Sequence, residues 1–126
     1  MQEDNYPEIT LILPKPPSLN QFYARRHYAV RANHKADYWK AIADTLDPFD
    51  KFHVDRCAVH VRYNCRYDVD NAICCSKFLV DYIRNHGYID DDTPKYFTEQ
   101  STRYDDQVEK NKFLATIKGH GYRIIE

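Results

Sequence analysis

The stretch Cys57-Ala58-Val59-His60-Val61-Arg62-Tyr63-Asn64-Cys65 runs directly into Arg66-Tyr67-Asp68-Val69-Asp70-Asn71. Cys57, Val59, Val61, Tyr63 and Cys65 fall on one side of an extended chain, and Ala58, His60, Arg62 and Asn64 on the other. Strict alternation over this length predicts a strand, here from Phe52 to Cys65, with His60 facing solvent. The strand delivers Asp68 and Asp70 at its C-terminal end, where α/β folds tend to place ligand chemistry. Asp70 or Asn71 is then expected to cap a helix that runs to about Asn85 and stops at Gly87. At 100° per residue, Ala72, Cys75, Leu79, Tyr82 and Ile83 share one arc, while Lys77 and Asp81 lie within about 20° of the Asp70 direction on the opposite side. One face goes to the core and the other returns to the acids. The simpler reading of Lys77 and Asp81 is an ordinary i, i+4 surface pair.

After Gly87 the chain presents Asp90-Asp91-Asp92-Thr93-Pro94, a turn by composition and, taken alone, a solvated one. Two carboxylates about 4 Å apart repel by roughly 4 kcal/mol at an effective dielectric near 20. A helix N-terminus offsets only about 0.3–1 kcal/mol of that. If the acids of residues 68–92 converge, a cation must join them, and hard oxygen ligands suit Mg²⁺ or Mn²⁺. The segment also opens like an EF-hand calcium loop, but positions 6 and 12 of such a loop are Ile73 and Leu79 rather than glycine and glutamate.

Upstream, Glu8 to Leu13 alternates with Ile9, Leu11 and Leu13 on one face, a strand that ends at Pro14. Lys15-Pro16-Pro17-Ser18-Leu19-Asn20 continues neither a ladder nor a helix, because proline lacks an N–H and fixes φ. Gln21 to Ala32 interleaves basic and aromatic side chains, a mixture that suits a phosphate backbone and splayed bases as well as an ordinary surface loop. A helix is expected from an Asn33 N-cap to just before Pro48, with Tyr38, Ile42 and Leu46 inward and Trp39 flanking them. Downstream, Lys95 to Tyr104 and Lys112 to Lys118 read as strands joined by Asp105–Asn111, and Tyr122 to Ile125 as a short edge strand. The order is β-α-β-α-β-β. A chain of 126 residues fits one α/β domain spanning 1–126.

Hydrophobic residues make up 43% and charged residues 29%, an ordinary balance for a folded chain. The formal net charge of −1 argues weakly against a polyanion partner, but the charge is unevenly placed. Between Pro14 and Lys40 it sums to +5, leaving −6 for the rest. A basic arm beside an acidic cluster suits a protein that holds polyanion with one part and metal with another. Cys57, Cys65, Cys74 and Cys75 form no CxxC pair, so core thiols are expected in preference to a zinc site, even with His86 on the same helix as Cys74 and Cys75. Without a cleavable signal or an apolar run near 18 residues, a reduced cytoplasmic location and no membrane partner are expected.

Two groups of motifs together resemble a known family. Leu13-Pro14-Lys15-Pro16-Pro17-Ser18-Leu19-Asn20 follows an opening strand. Tyr67-Asp68-Val69-Asp70-Asn71, Lys77, Asp81 and Gly87-Tyr88-Ile89-Asp90-Asp91-Asp92 follow one another in order. This succession is similar to that of the RusA-type Holliday junction resolvases, small crossover junction endodeoxyribonucleases of phage and prophage. The resemblance implies a mixed sheet packed with two main helices and a homodimer acting on four-way or branched DNA in recombination and repair. It also implies paired phosphodiester hydrolysis with Mg²⁺ or Mn²⁺, leaving 5′-phosphate and 3′-hydroxyl ends, in the cytoplasm of a bacterial host. Carried over residue by residue, Asp68, Asp70 and Asp92 become the essential acids, Asp91 their neighbour among the metal ligands, and Lys77 the active-site lysine. Lys15, Arg25, Arg26 and Arg31 are candidates for contact with DNA. The rival readings are a branched-DNA-binding protein of the same fold without catalysis, and a metal-dependent phosphohydrolase acting on nucleotides, which leaves the basic arm unexplained.

Overall fold

A computed structural model describes residues 8–19, 28–49, 51–121 and 123–124. The chain forms β1 (Glu8–Pro14), α1 (Tyr28–Leu46), β2 (Phe52–His53), β3 (Arg56–Asn64), α2 (Val69–Ala72), α3 (Cys74–Asn85), β4 (Phe97–Tyr104), β5 (Lys112–His120) and β6 (Arg123–Ile124). With the two-residue strands set aside and α2 taken with α3, the described elements follow the expected order β-α-β-α-β-β. Four strands make one mixed sheet in the order β1-β5-β3-β4, and β2 pairs with β6 in a separate ribbon. β5 runs antiparallel to both β1 and β3, whereas β3 and β4 are parallel. Parallel neighbours need a crossover, and α2 and α3 supply it.

The alternation read from sequence sets the two faces. Leu11, Leu13, Cys57, Val59, Val61, Tyr63, Phe113, Ala115 and Ile117 are buried beneath α1 and α3. Thr10, Ile12, His60, Arg62, Leu114 and Thr116 point to the other face and are half-buried or exposed, with Ile12 60% exposed. His60 bonds Ser101 of β4 across that face through Nδ1 at 2.6 Å. Arg62 pairs with Asp105 at 3.0 Å, tying the end of β4 to its neighbour. The Gln107 N–H first, then Arg62, holds the Asp105 carboxyl below its ordinary range.

Element boundaries differ from expectation where backbone bonding overrides local signals. α1 starts at Tyr28 and includes Asn33, because the preceding alanines and Arg31 favour helix and need no cap at Asn33. The long strand breaks at Val54–Asp55: the Val54 N–H goes to Tyr88 O at 2.9 Å and the Asp55 N–H to His120 O at 2.8 Å, taking both out of the ladder. The strands flanking Asp105–Asn111 do not pair with each other, since β3 lies between them. α3 ends as anticipated. Gly87 sits at φ +83, its N–H bonds Arg84 O at 3.3 Å and the Tyr88 N–H bonds Ile83 O at 2.8 Å, a left-handed C-terminal cap over the buried Ile83 and Tyr88. No described helix is long and apolar enough to cross a membrane.

The four cysteines are free. Burial pushes the Cys57 and Cys75 thiols up to about 12 and Cys74 up to about 11. Cys74 and Cys75 stand about 17 Å from His86 along α3, too far to share an ion. Cys65, half-buried beyond the end of β3, is expected to alkylate first in the native protein at pH 8. The three buried thiols should lag it, because burial both shields them from reagent and holds them as thiols. Mass spectrometry after timed iodoacetamide treatment checks this, and equal rates at all four would mean the core opens freely.

Candidate active site

The acidic motif follows the last residue of β3. Asp68 is the residue before α2, with extended backbone (φ −62, ψ 157), and its carbonyl receives the N–H groups of Asn71 at 2.9 Å and Ala72 at 3.0 Å. The helix therefore begins two or three residues earlier than the expected Asp70 or Asn71 cap. The Asp68 carboxylate makes no capping bond, and Asp68 and Asp70 are both exposed. Among the described residues neither forms an ion pair. Ile73 keeps a near-helical backbone (φ −70, ψ −13), and the Lys77 N–H bonds Ile73 O at 3.1 Å, so α2 and α3 wind on as one coil. Lys77 then lies about 10 Å from Asp70 along the axis and on the same stripe.

Two tyrosine hydroxyls bring the proline segment to this motif. Tyr67 donates to Pro16 O at 2.8 Å and accepts the Ser18 N–H, while Tyr38 donates to Pro14 O at 2.7 Å. Pro16 and Ser18 are buried, and Lys15 Nζ stands 5.4 Å from the centre of the Tyr67 ring. The segment is thus more than a strand terminator: it packs beside the residue that precedes Asp68. Tyr63 donates its hydroxyl to Tyr67 O at 2.8 Å. Burial, with Cys65 and the Asp68 carboxylate nearby, holds the Tyr63 phenol above its ordinary value.

The far side of the site is the turn after α3. Asp90 is not merely solvated: its Oδ1 meets His53 Nε2 at 3.0 Å, and His53 is buried. Asp91 Oδ1 accepts the Asp92 N–H at 2.8 Å, and Asp92 approaches Arg84 Nε at 3.8 Å. Asp92, Lys77 and Asp81 line one cleft of about 450 Å³ between α3 and β4, together with Lys35 and Gln100. Asp81 pairs with Lys35 of α1 at 3.0 Å, in place of the simple Lys77 pair along the helix.

The structure thus brings Lys77 and Asp92 onto one cleft, with Asp68 and Asp70 at the start of the same coil. It does not gather the four candidate ligands at one point. Among the described residues, no three His, Cys, Asp or Glu side chains form a group that could hold a metal ion. The immediate start of α2 also rules out a 12-residue calcium loop. Arg25 and Arg26 lie outside the described residues, as does the side chain of Arg31. Lys35, Gln100, Arg84 and His53 were not singled out by sequence reasoning. Lys35 and His53 meet Asp81 and Asp90 through sequence separations that no local pattern encodes. No protein-family model matches the chain, and neither does any curated protein.

Proposed function

We propose that this chain is a RusA-type, divalent-metal-dependent endodeoxyribonuclease that resolves four-way or branched DNA by paired nicks. The observation that carries the reading is that Lys77, which has no ion pair among the described residues, opens onto the same cleft as Asp92 on the helical stripe that begins at Asp70. Asp68 and Asp70 offer two exposed, uncommitted hard-oxygen donors, and Mg²⁺ is commonly held by one or two carboxylates, with substrate phosphate and water completing its shell. They would hold the ion; Asp91 and Asp92 remain candidate ligands whose recruitment requires Asp92 to leave Arg84. A bound Mg²⁺ or Mn²⁺ would acidify a water and neutralise phosphate charge.

Lys77 binds a non-bridging oxygen of the scissile phosphate and stabilises the charge that grows there as water adds to phosphorus. The P–O3′ bond breaks, the 3′-oxygen takes up a proton, and the water loses one. Lys15, held over Tyr67, contacts a neighbouring phosphate, and Arg25, Arg26 and Arg31 extend the basic track. Resolution needs two opposed nicks, which a two-fold homodimer supplies, and the sheet face opposite the described helices would be the surface for a second copy. The non-catalytic reading has one observation in its favour, the separation of the acids into two groups.

Cleavage of a synthetic four-way junction beside a matched linear duplex, in Mg²⁺, Mn²⁺ or chelator, separates the two. Paired nicks in the junction alone, absent in chelator and lost in Asp70→Asn, are expected. Equal cutting of duplex and junction removes the substrate claim. Junction binding that persists in chelator with no nicking in either metal replaces the enzyme by the binding protein.

A further inference from the structure

We infer that the cleft between α3 and β4 receives a single unstacked nucleobase beside the scissile phosphate, with the Gln100 amide reading its polar edge. The inference rests on the nucleic-acid reading above. A volume of about 450 Å³ lies in the range of formed ligand pockets. Its lining is partly apolar, and Ile73 and Phe97 are only half-buried, so a flat ring system gains contact there. Phe97 is half-buried and supplies the aromatic side chain on which an unstacked base rests.

Charge pairing decides between a base and a polyanion. Lys35 is already bound to Asp81 at 3.0 Å, and Asp92 adds a second negative charge to the lining. Lys77 is the lining cation without an ion pair among the described residues. The interior therefore suits a neutral ring with one flanking phosphate on Lys77, and disfavours a free nucleotide carrying several charges. Gln100 stands on the inward side of β4, and its Oε1 accepts the Thr102 hydroxyl at 3.3 Å. That bond orients the amide, leaving the Nε2 donors and a second Oε1 lone pair, the donor–acceptor pair with which glutamine reads a base edge. Because β4 is an edge strand with no partner on its outer side among the described strands, DNA can approach without dismantling the sheet.

The test has two arms. In the first, junctions randomised at the branch point are cut by the unaltered protein and by Gln100→Ala, and the cut sites are sequenced. An uneven distribution that flattens at least fivefold in the variant is expected. In the second, which needs no catalysis, a junction carrying 2-aminopurine at the branch point is titrated with each protein in chelator. Unstacking should raise the emission severalfold, and Gln100→Ala should reduce the rise by at least threefold. Emission that depends on Gln100 without any nicking supports the base site and removes the nuclease reading. Nicking whose sequence distribution and emission both ignore Gln100 overturns the base site and leaves the nuclease standing. No emission change with the unaltered protein, whether or not it nicks, also overturns the base site.

Discussion

Lys77→Ala is expected to lower the single-turnover rate of junction nicking about 100- to 1,000-fold under saturating DNA, the usual cost of removing one preorganised charge from a developing oxyanion. The side chain is exposed at the cleft and, among the described residues, is spent on no carboxylate. The ion pair that could have occupied it along the helix is not formed, because Asp81 is taken by Lys35 at 3.0 Å. The arrangement leaves the Lys77 ammonium, unpaired among the described residues, on the cleft that Asp92 also lines. If Lys77 only helped to bind DNA, saturation would restore the rate and the loss would appear in affinity alone. An unchanged rate at saturation therefore removes Lys77 from the chemistry. Lys77→Arg keeps the charge but replaces a compact point by a planar fork, so partial recovery is expected rather than full activity. Both variants are expected to fold, since Lys77 is exposed.

How far the sequence foretold this arrangement depends on the range of the interaction involved. The alternation from Cys57 to Tyr63 and the arc Ala72, Cys75, Leu79, Tyr82 and Ile83 are local periodicities, and all of these residues are buried. The same helical phase placed Lys77 and Asp81 on the open side, where both line the cleft. What local pattern could not supply was the pairing. Nothing near Lys35 announces Asp81, and nothing near His53 announces Asp90, because each contact closes over several elements. The insertion of β3 between β4 and β5 is likewise a property of the whole sheet, since β3 offers two paired edges and β4 only one. The acid motif was legible as a set of donors. That no three of these side chains close into one metal-sized group was not, because the return path of residues 87–96 is set by the Tyr88 to Ile83 cap and the His53–Asp90 contact.

Tyr63 joins the core to that motif, and Tyr63→Ala is expected to cost about 3–5 kcal/mol, as large aromatic truncations in a packed core do. The ring stacks on Phe113 at 5.2 Å and 18°, meets Tyr104 edge-on at 5.8 Å, and is 1% exposed. Against a total stability of roughly 5–15 kcal/mol, such a loss leaves a substantial unfolded population. Tyr63→Phe isolates the hydroxyl. It keeps the stacking and removes only the bond to Tyr67 O, which is part-buried, so its cost should be about 0.5–1.5 kcal/mol, the usual net worth of such a bond. Urea titrations with matched slopes give both values from the midpoints. The more informative comparison is functional. The Tyr67 carbonyl belongs to the peptide that leads into Asp68, and the Tyr67 hydroxyl holds Pro16 and Ser18. Under conditions where Tyr63→Phe is fully folded, junction nicking should still fall several-fold, because the start of the acidic motif has lost an anchor. Full activity in a folded Tyr63→Phe protein, with the expected loss of stability, would confine this tyrosine to the core and leave the Tyr67 clamp to position Asp68 unaided.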